Sequence, residues 1–437
     1  MKQLAVLILL CSPAAVLAQG QPLTLDEAIA RGLANSRRLA ELEARGEAAE
    51  FSVAGRKAAD LPSVALQGGY TRTNHVDEFA IALPGGARQV VYPDIPDNYR
   101  ARLDLQWPIY TGGRADALVR AAAAERTAVG KDLEAARADL RLEITRAFWG
   151  AVTARETEAV LRTSLDAVDA HLRDVRSRLA SGLIPPNDVS SAEAQASHQR
   201  LLAIEAANQR AIADADLGRL LGTETGTLTV AAPPFAGPET ASAPVSAVAD
   251  LIARAEKGRP ERQALEQRAA AADSRAAAVA ASAKPLIAVG GGYDYARPNP
   301  RIFPRRGEWE TSWDASVNVT WTLWDSGRRA ADYGEAKANA SALRARVEDF
   351  DRQLTFEVRS RALELDSARQ AIDAANDEVR AAGEAERVVG ERYKAGVATG
   401  TDVLDAQIAR LQADLDRTRA IANVRLAEAR LERAVGR

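Results

Sequence analysis

The stretch Arg392-Tyr-Lys-Ala-Gly-Val-Ala-Thr-Gly-Thr-Asp-Val-Leu-Asp405 lies between two very long helical patterns, and its glycines predict a tight turn. An earlier stretch, from Arg178 to Val189, has the same construction. The segments 113–180 and 327–395 contain no proline, so each is predicted to form one helix about 100 Å long, at about 1.5 Å per residue. Their apolar residues recur at alternating spacings of three and four, as in a helix–helix seam. The two turns are therefore expected at the far ends of antiparallel helix hairpins.

An internal repeat appears when the sequence is slid along itself. The two copies cover about 25–222 and 249–436. At an offset of 223, Ile29-Ala30-Arg31 falls on Ile252-Ala253-Arg254 and Gly68-Gly69-Tyr70 on Gly291-Gly292-Tyr293; at an offset of 214, Trp107 falls on Trp321 and Gly182 on Gly396. The difference, 223 minus 214, indicates a nine-residue insertion between Tyr70 and Trp107. Its composition predicts a loop.

The first 18 residues are predicted to be a secretory signal peptide. Lys2 precedes an apolar run, and the small-residue pattern ending at Ala18 suits cleavage there. The chain's single cysteine, Cys11, lies inside this segment, and Leu10 before it disfavours lipid attachment. We therefore expect a mature chain that begins at Gln19 and has no disulfide and no cysteine metal site.

Period-two alternation of apolar and polar residues predicts β-strands in each copy, within 62–110 and 286–324, joined by polar loops at 74–98 and 297–307. The segments 19–61, 111–222, 249–285 and 325–437 are predicted to be helical, and the proline-rich segment 223–248 is predicted to be a linker with one short strand, Thr-Leu-Thr-Val. The expected fold class is therefore α+β, internally duplicated.

The aromatic residues suggest where these strands lie. Tyrosines and tryptophans near strand ends are typical of the girdles that mark bilayer interfaces, and the candidates here are Tyr70, Trp107, Tyr293, Trp313, Trp321 and Trp324. Four strands are too few to close a barrel, because about eight are needed to span a membrane. A membrane barrel would therefore be shared among several chains. The alternatives are a secreted structural coiled coil with a small soluble sheet, and an autonomous porin that is open without an adaptor.

The turn residues have both structural and functional interpretations. Gly182 and Gly396 are suited to end helices in the left-handed conformation, and Asp188 and Asp402 are predicted to cap the returning helices. Asp405 lies further into its helix and caps nothing. In a symmetric assembly it would be repeated as a ring of carboxylates, and such rings select cations.

Signals for catalysis and cofactors are weak. The three histidines have no partners at metal-ligand spacing, and Gly290-Gly291-Gly292 opens no helix that would cradle a phosphate. We predict no enzyme activity, no cofactor and no metal site. A formal net charge of -3 and a pI near 5.9 argue against a nucleic-acid partner.

Each copy is built as helix, strand, strand, long helix, turn and returning helix. The second turn reads Tyr-Lys-Ala-Gly-Val-Ala-Thr-Gly-Thr-Asp-Val-Leu-Asp, and the first reads Ser-Gly-Leu-Ile-Pro-Pro-Asn-Asp-Val. This duplicated arrangement and these turns resemble the TolC-type outer membrane efflux proteins. The resemblance implies a homotrimer whose twelve strands form one barrel in outer membrane lipid, continued by a helical tunnel through the periplasm. It also implies a passive duct that binds a periplasmic adaptor and an inner-membrane pump.

The same resemblance assigns roles at the turns. Tyr393 is expected to pair with Asp188 in the closed tip, while Asp402 and Asp405 constrict the pore. The adaptor is expected to dock at Gly182-Leu183 and Gly396-Val397. One departure concerns the closed state, because Ala398 stands where relatives carry an arginine that helps to lock the tip.

Overall fold

The computed structural model describes residues 23–223 and 247–436. The predicted signal peptide, 1–18, and the predicted linker strand, Thr-Leu-Thr-Val, lie outside the described residues. The chain divides into two compact units. One contains the described parts of Met1–Leu39, Ala136–Arg259 and Leu354–Arg437, and the other contains Ala40–Ala135 and Pro260–Gln353.

The two copies share one order of elements, except that the first contains an additional hairpin, formed by its second and third strands. The first contains α1 (Leu25–Asn35), α2 (Arg37–Ala58), β1 (Ser63–Arg72), β2 (Phe79–Ala82), β3 (Arg88–Tyr92), β4 (Asp97–Tyr110), α3 (Arg114–Ala180) and α4 (Pro186–Leu221). The second contains α5 (Val248–Gly258), α6 (Pro260–Ala281), β5 (Leu286–Arg297), β6 (Glu310–Thr320), α7 (Arg328–Lys394) and α8 (Gly400–Val435). The long helices α3 and α7 have 67 residues each, and the returning helices α4 and α8 have 36 each.

The second unit contains a four-stranded antiparallel sheet with the order β1-β4-β5-β6. Tyr70 pairs with Tyr99 across β1 and β4, and Tyr293 pairs with Trp313 across β5 and β6. One face of the sheet carries large apolar side chains that are exposed in this chain, including Leu66, Leu103, Tyr293, Trp313 and Val317. The strands β1 and β6 are the two edges.

The opposite face of the sheet is held by a network around Arg102 on β4. Its guanidinium contacts Asp104 at 2.6 Å, Asp314 at 3.0 Å, and Asp294, whose side chain is only 3% exposed. A Cβ on Gly292 would collide with this guanidinium. The glycine run that suggested no function in the sequence therefore leaves room for an arginine that joins three strands.

Two sequence predictions in this unit were wrong in detail. The segment 74–98 was expected to be a loop, but it contains the hairpin β2–β3, which turns at Gly85 (φ 104°) and Gly86 (φ 87°). The prolines and glycines around its short strands concealed their alternation. The last strand ends at Thr320, so Trp321 and Trp324 lie beyond it.

Small residues allow close packing of helices in the first unit. Gly32 on α1 lies against α3 and α4, and a Cβ there would lie 3.1 Å from Ile144 Cγ1 and 3.4 Å from the Leu220 carbonyl oxygen. At the end of α4, the Asn35 side-chain amide donates to the Leu221 carbonyl at 2.8 Å, and Gly222 adopts φ 67°. Among the described residues, no helix has the length and apolarity required to cross a membrane.

We expect Gly32→Ala to lower the free energy of unfolding by about 1–3 kcal/mol, because the added methyl group overpacks the α1 contact with Ile144. The matched control is Gly150→Ala on α3 of the same unit, where a Cβ meets nothing within 4 Å. The control removes a flexible glycine from a helix and is expected to be neutral or stabilising by about 0.5–1 kcal/mol. Denaturant unfolding followed by circular dichroism measures both. Equal effects would show that Gly32 is not a packing position.

Candidate functional site

The two helix turns have the same backbone geometry. Gly182 and Gly396 have φ of 75° and 74°, which glycine adopts without steric cost. After Gly182, the Leu183 amide donates to the Arg178 carbonyl at 3.0 Å; after Gly396, the Val397 amide donates to the Arg392 carbonyl at 2.9 Å. These are the hydrogen bonds of a glycine-terminated helix end. The predicted glycine turns are thus present in both copies.

The residue after each glycine places an apolar side chain in solvent. Leu183 is 73% exposed and Val397 is 64% exposed. Their backbones are fixed by the hydrogen bonds that end the helices. Each turn therefore presents one large apolar side chain to solvent on a defined backbone.

The returning helices begin differently in the two copies. Pro185 is the N-cap of α4 and makes no side-chain cap. Thr399 is the N-cap of α8, and its hydroxyl accepts from the Asp402 amide at 3.2 Å while the Asp402 carboxylate accepts from the Thr399 amide at 2.7 Å. The prediction that Asp188 and Asp402 are N-caps was therefore wrong by three residues. The Thr-x-x-Asp spacing of a capping box was the signal in the sequence.

The two carboxylates assigned to the constriction lie near the start of α8 and differ in their surroundings. Asp402 is bound to Thr399, whose backbone amide first, and then its hydroxyl, lower the pKa of the Asp402 carboxyl. Asp405 is exposed one turn further along the helix. Asp402 is therefore held as a fixed negative charge, whereas Asp405 projects into solvent.

Tyr393, near the end of α7, is packed between two side chains of α3. The Arg178 guanidinium lies 4.2 Å from the centre of the tyrosine ring, and the centre of the His171 ring lies 5.5 Å away at an interplanar angle of 58°. Arg178 is also paired with Asp174 at 2.9 Å. A cation over an aromatic face is an attractive contact. These contacts join the two helix hairpins near their turns.

The predicted partner of Tyr393, Asp188, acts on it through charge. Among the described residues, Asp188 influences Tyr393 by its charge alone, whereas Asp174 does so by its charge and by a side-chain hydrogen bond. Burial raises the pKa of Tyr393; the charge of Arg178 lowers it, and the charges of Asp174 and Asp188 raise it. Asp188 is thus near Tyr393 but is not its closest contact within one chain.

His171 and Arg178 were missed as site residues in the sequence. The ring of His171 is packed in the helix seam, with 8% of the residue's surface exposed. Its place three residues after Val168 and four before Val175, both buried seam residues, was the available signal. Arg178 supplies a cation to the ring of Tyr393.

The aromatic residues of the sheet form two groups. Near one end of the strands, Tyr70 contacts Tyr99 at 5.0 Å, Tyr99 contacts Trp309 at 5.8 Å, and Trp309 stacks on Tyr295 at 4.7 Å. Tyr99 was not among the aromatic residues expected near an interface. The clustering of these rings follows from the strand register, which the sequence does not state.

Near the other end of the strands, two tryptophans make equivalent hydrogen bonds in the two copies. The Trp107 indole donates to the Asp60 carbonyl at 3.2 Å, and the Trp321 indole donates to the Ala283 carbonyl at 3.1 Å. Trp107 and Trp321 are related by the offset of 214, and Asp60 and Ala283 by the offset of 223. The sheet is thus joined to the ends of the preceding helices in the same way twice.

Comparisons with known proteins agree with this architecture. A family model described as "Outer membrane efflux protein" matches residues 28–223 and 251–437. Protein CyaE of Bordetella pertussis is 29% identical over 389 residues, which cover 88% of this chain and 78% of that protein.

Solved structures share the fold. The Campylobacter jejuni CmeC outer membrane channel has a TM-score of 0.77 at 16% identity and aligns over 94% of this chain and 85% of its own. The open state of the Neisseria gonorrhoeae MtrE outer membrane channel has a TM-score of 0.77 at 20% identity and aligns over 94% of this chain and 88% of its own.

Proposed function

The chain belongs to the outer membrane efflux protein family. We propose that it is the gated exit duct of an export system that also contains a periplasmic adaptor and an inner-membrane pump. As a member of this family, it is a passive outer membrane channel that extends into the periplasm, and it is not an enzyme. One observation carries the proposal: the same chain contains a sheet with an exposed apolar face and two matching helix hairpins. This membership also disfavours the alternative of a secreted structural coiled coil.

The first part of the proposal is a barrel shared among three chains. A sheet in lipid must leave no unpaired edge, because unsatisfied backbone groups are costly there. The edges β1 and β6 therefore require partners, and three copies of a four-stranded sheet close a twelve-stranded barrel. The exposed apolar face would contact outer membrane lipid, with Tyr70, Trp107, Tyr293, Trp313, Trp321 and Trp324 near its interfaces.

The second part concerns the gate at the helix turns. Asp402 and Asp405, repeated around a threefold axis, would form a narrow ring of carboxylates that favours cations. Tyr393, packed on Arg178 and near Asp188, would hold the hairpins together in the closed state. The solved MtrE structure is described as an open state, which supports a channel of this fold having more than one state.

The third part concerns partners. We infer that a periplasmic adaptor docks at Gly182-Leu183 and Gly396-Val397, and that an inner-membrane pump supplies the energy. The exposure of Leu183 and Val397 on fixed backbones supports this assignment. Burying two such side chains contributes about 1.5–3 kcal/mol each to binding.

The ring predicts ion preference. We expect Asp402→Asn combined with Asp405→Asn to reduce cation preference in a planar bilayer, measured as the reversal potential in a salt gradient, because two charges per chain are removed. Asparagine keeps an oxygen that can accept from Thr399, so the start of α8 is preserved. The control is Asp377→Asn on α7, whose exposed side chain pairs with Arg380. An unchanged reversal potential in the double variant would place the selective ring elsewhere.

Docking predicts contact at the turns. A photoreactive phenylalanine at Val397 is expected to crosslink in cells to a periplasmic protein anchored in the inner membrane, because this side chain projects into solvent at the turn. The control places the same residue at Val388 on α7, which is also exposed. Capture of the same partner from both positions, or from neither, would contradict docking at the turn. Mass spectrometry of the crosslinked species distinguishes these results.

A further inference from the structure

We propose that His171 is a positioning residue of the gate, which holds Tyr393 in the closed tip only while the imidazole is uncharged, so that mild acid loosens the tip. This inference rests on the proposed function of the turns as a gate. It adds a residue that the resemblance does not supply and a condition under which the gate responds.

The geometry places His171 where the two hairpins meet. Its ring belongs to α3 and contacts Tyr393 of α7 at 5.5 Å between ring centres. Its Nε2 also lies close to the start of α8, since a Cβ on Gly400 would be 3.7 Å from that atom. One imidazole therefore contacts α7 and lies close to the start of α8.

The surroundings of one ring nitrogen of His171, Nε2, disfavour its protonation. Nε2 is buried and has no hydrogen-bond partner among the described residues. A protonated imidazole needs acceptors for both of its N–H groups, and a buried donor without an acceptor is costly. In addition, Gly400 is the first residue of α8, so Nε2 faces the positive end of a helix dipole.

Charged groups lie on α3 itself and on the helices packed near His171. The helix α4 packs on the Val168–Val175 seam of α3 through Ala192 and Ala196. On α4, Glu193 is paired with Arg176 at 2.7 Å. On α3 itself, Asp174 favours the imidazolium and Arg178 disfavours it. On α7 the facing titratable group is Tyr393, and at the start of α8 the nearest carboxylate, Asp402, is bound to Thr399. Burial is the largest influence, and it lowers the pKa of His171 below its ordinary value.

The direction of the pH effect follows from this lowering. When the hairpins separate, His171 regains its ordinary pKa of about 6.5 and binds a proton more readily than in the packed tip. The uncharged imidazole therefore stabilises the packed tip fully above about pH 6.5. This stabilisation is lost as the pH falls from about 6.5 to the lowered pKa of His171. Acid thus favours the separated, open arrangement.

The test uses the full-length protein, whose three histidines provide a matched set. Titration of the imidazole C–H signals by NMR in detergent, assigned with His171→Phe, His198→Gln and His75→Gln, compares the buried group with two exposed ones. We expect the pKa of His171 to lie below the ordinary imidazole value of about 6.5, because the ring is buried. A His171 pKa at or above that value would overturn the proposal.

Conductance in planar bilayers gives the second readout. We expect wild-type conductance to rise at least about threefold between pH 7.5 and pH 5.5 as the packing weakens. His171→Phe keeps an aromatic contact with Tyr393 and should abolish the rise, while His198→Gln should retain it. A rise that survives in His171→Phe, or no rise in the wild type, would contradict the proposal. If no channel forms at any pH while His171 still titrates low, the proposed function fails and the buried contact stands.

Discussion

The structure depends most on one constraint, which is that a sheet in lipid must pair all of its backbone N–H and C=O groups. A single chain supplies four strands and leaves β1 and β6 as edges. The large apolar side chains on one face of the sheet also need a covering, because in this chain they are exposed. We propose that both requirements are met by other copies of the same chain, which makes assembly a condition for insertion.

The internal duplication means that one repeated arrangement of helices and strands builds most of the molecule. Each copy supplies two strands of the sheet and one long helix hairpin, with 67 and 36 residues in its two helices. The hydrogen bonds of Trp107 and Trp321 show that even the junction between sheet and helix is repeated. The copies differ at their turns. Only the second turn has the Thr399–Asp402 capping box, and only the second copy carries Tyr393, which packs on Arg178 of the first.

The family and the positions of the helix turns were predictable from the sequence, because particular residues mark them. The family resemblance was confirmed, and helix ends were well placed because glycine and proline mark them, as at Gly182 and Gly396. The hairpin β2–β3 was missed because prolines and glycines dominate its surroundings. Contacts between distant segments were also out of reach: Arg102 over Gly292 and His171 against Tyr393 depend on register and helix rotation, which local patterns do not encode.

We propose that three copies of this chain form one membrane channel. Native mass spectrometry of the detergent-solubilised protein counts the chains without assuming any activity. A dominant species with the mass of three chains is expected. A dominant species with the mass of one chain, in a detergent that preserves the sheet's circular dichroism signal, would contradict it.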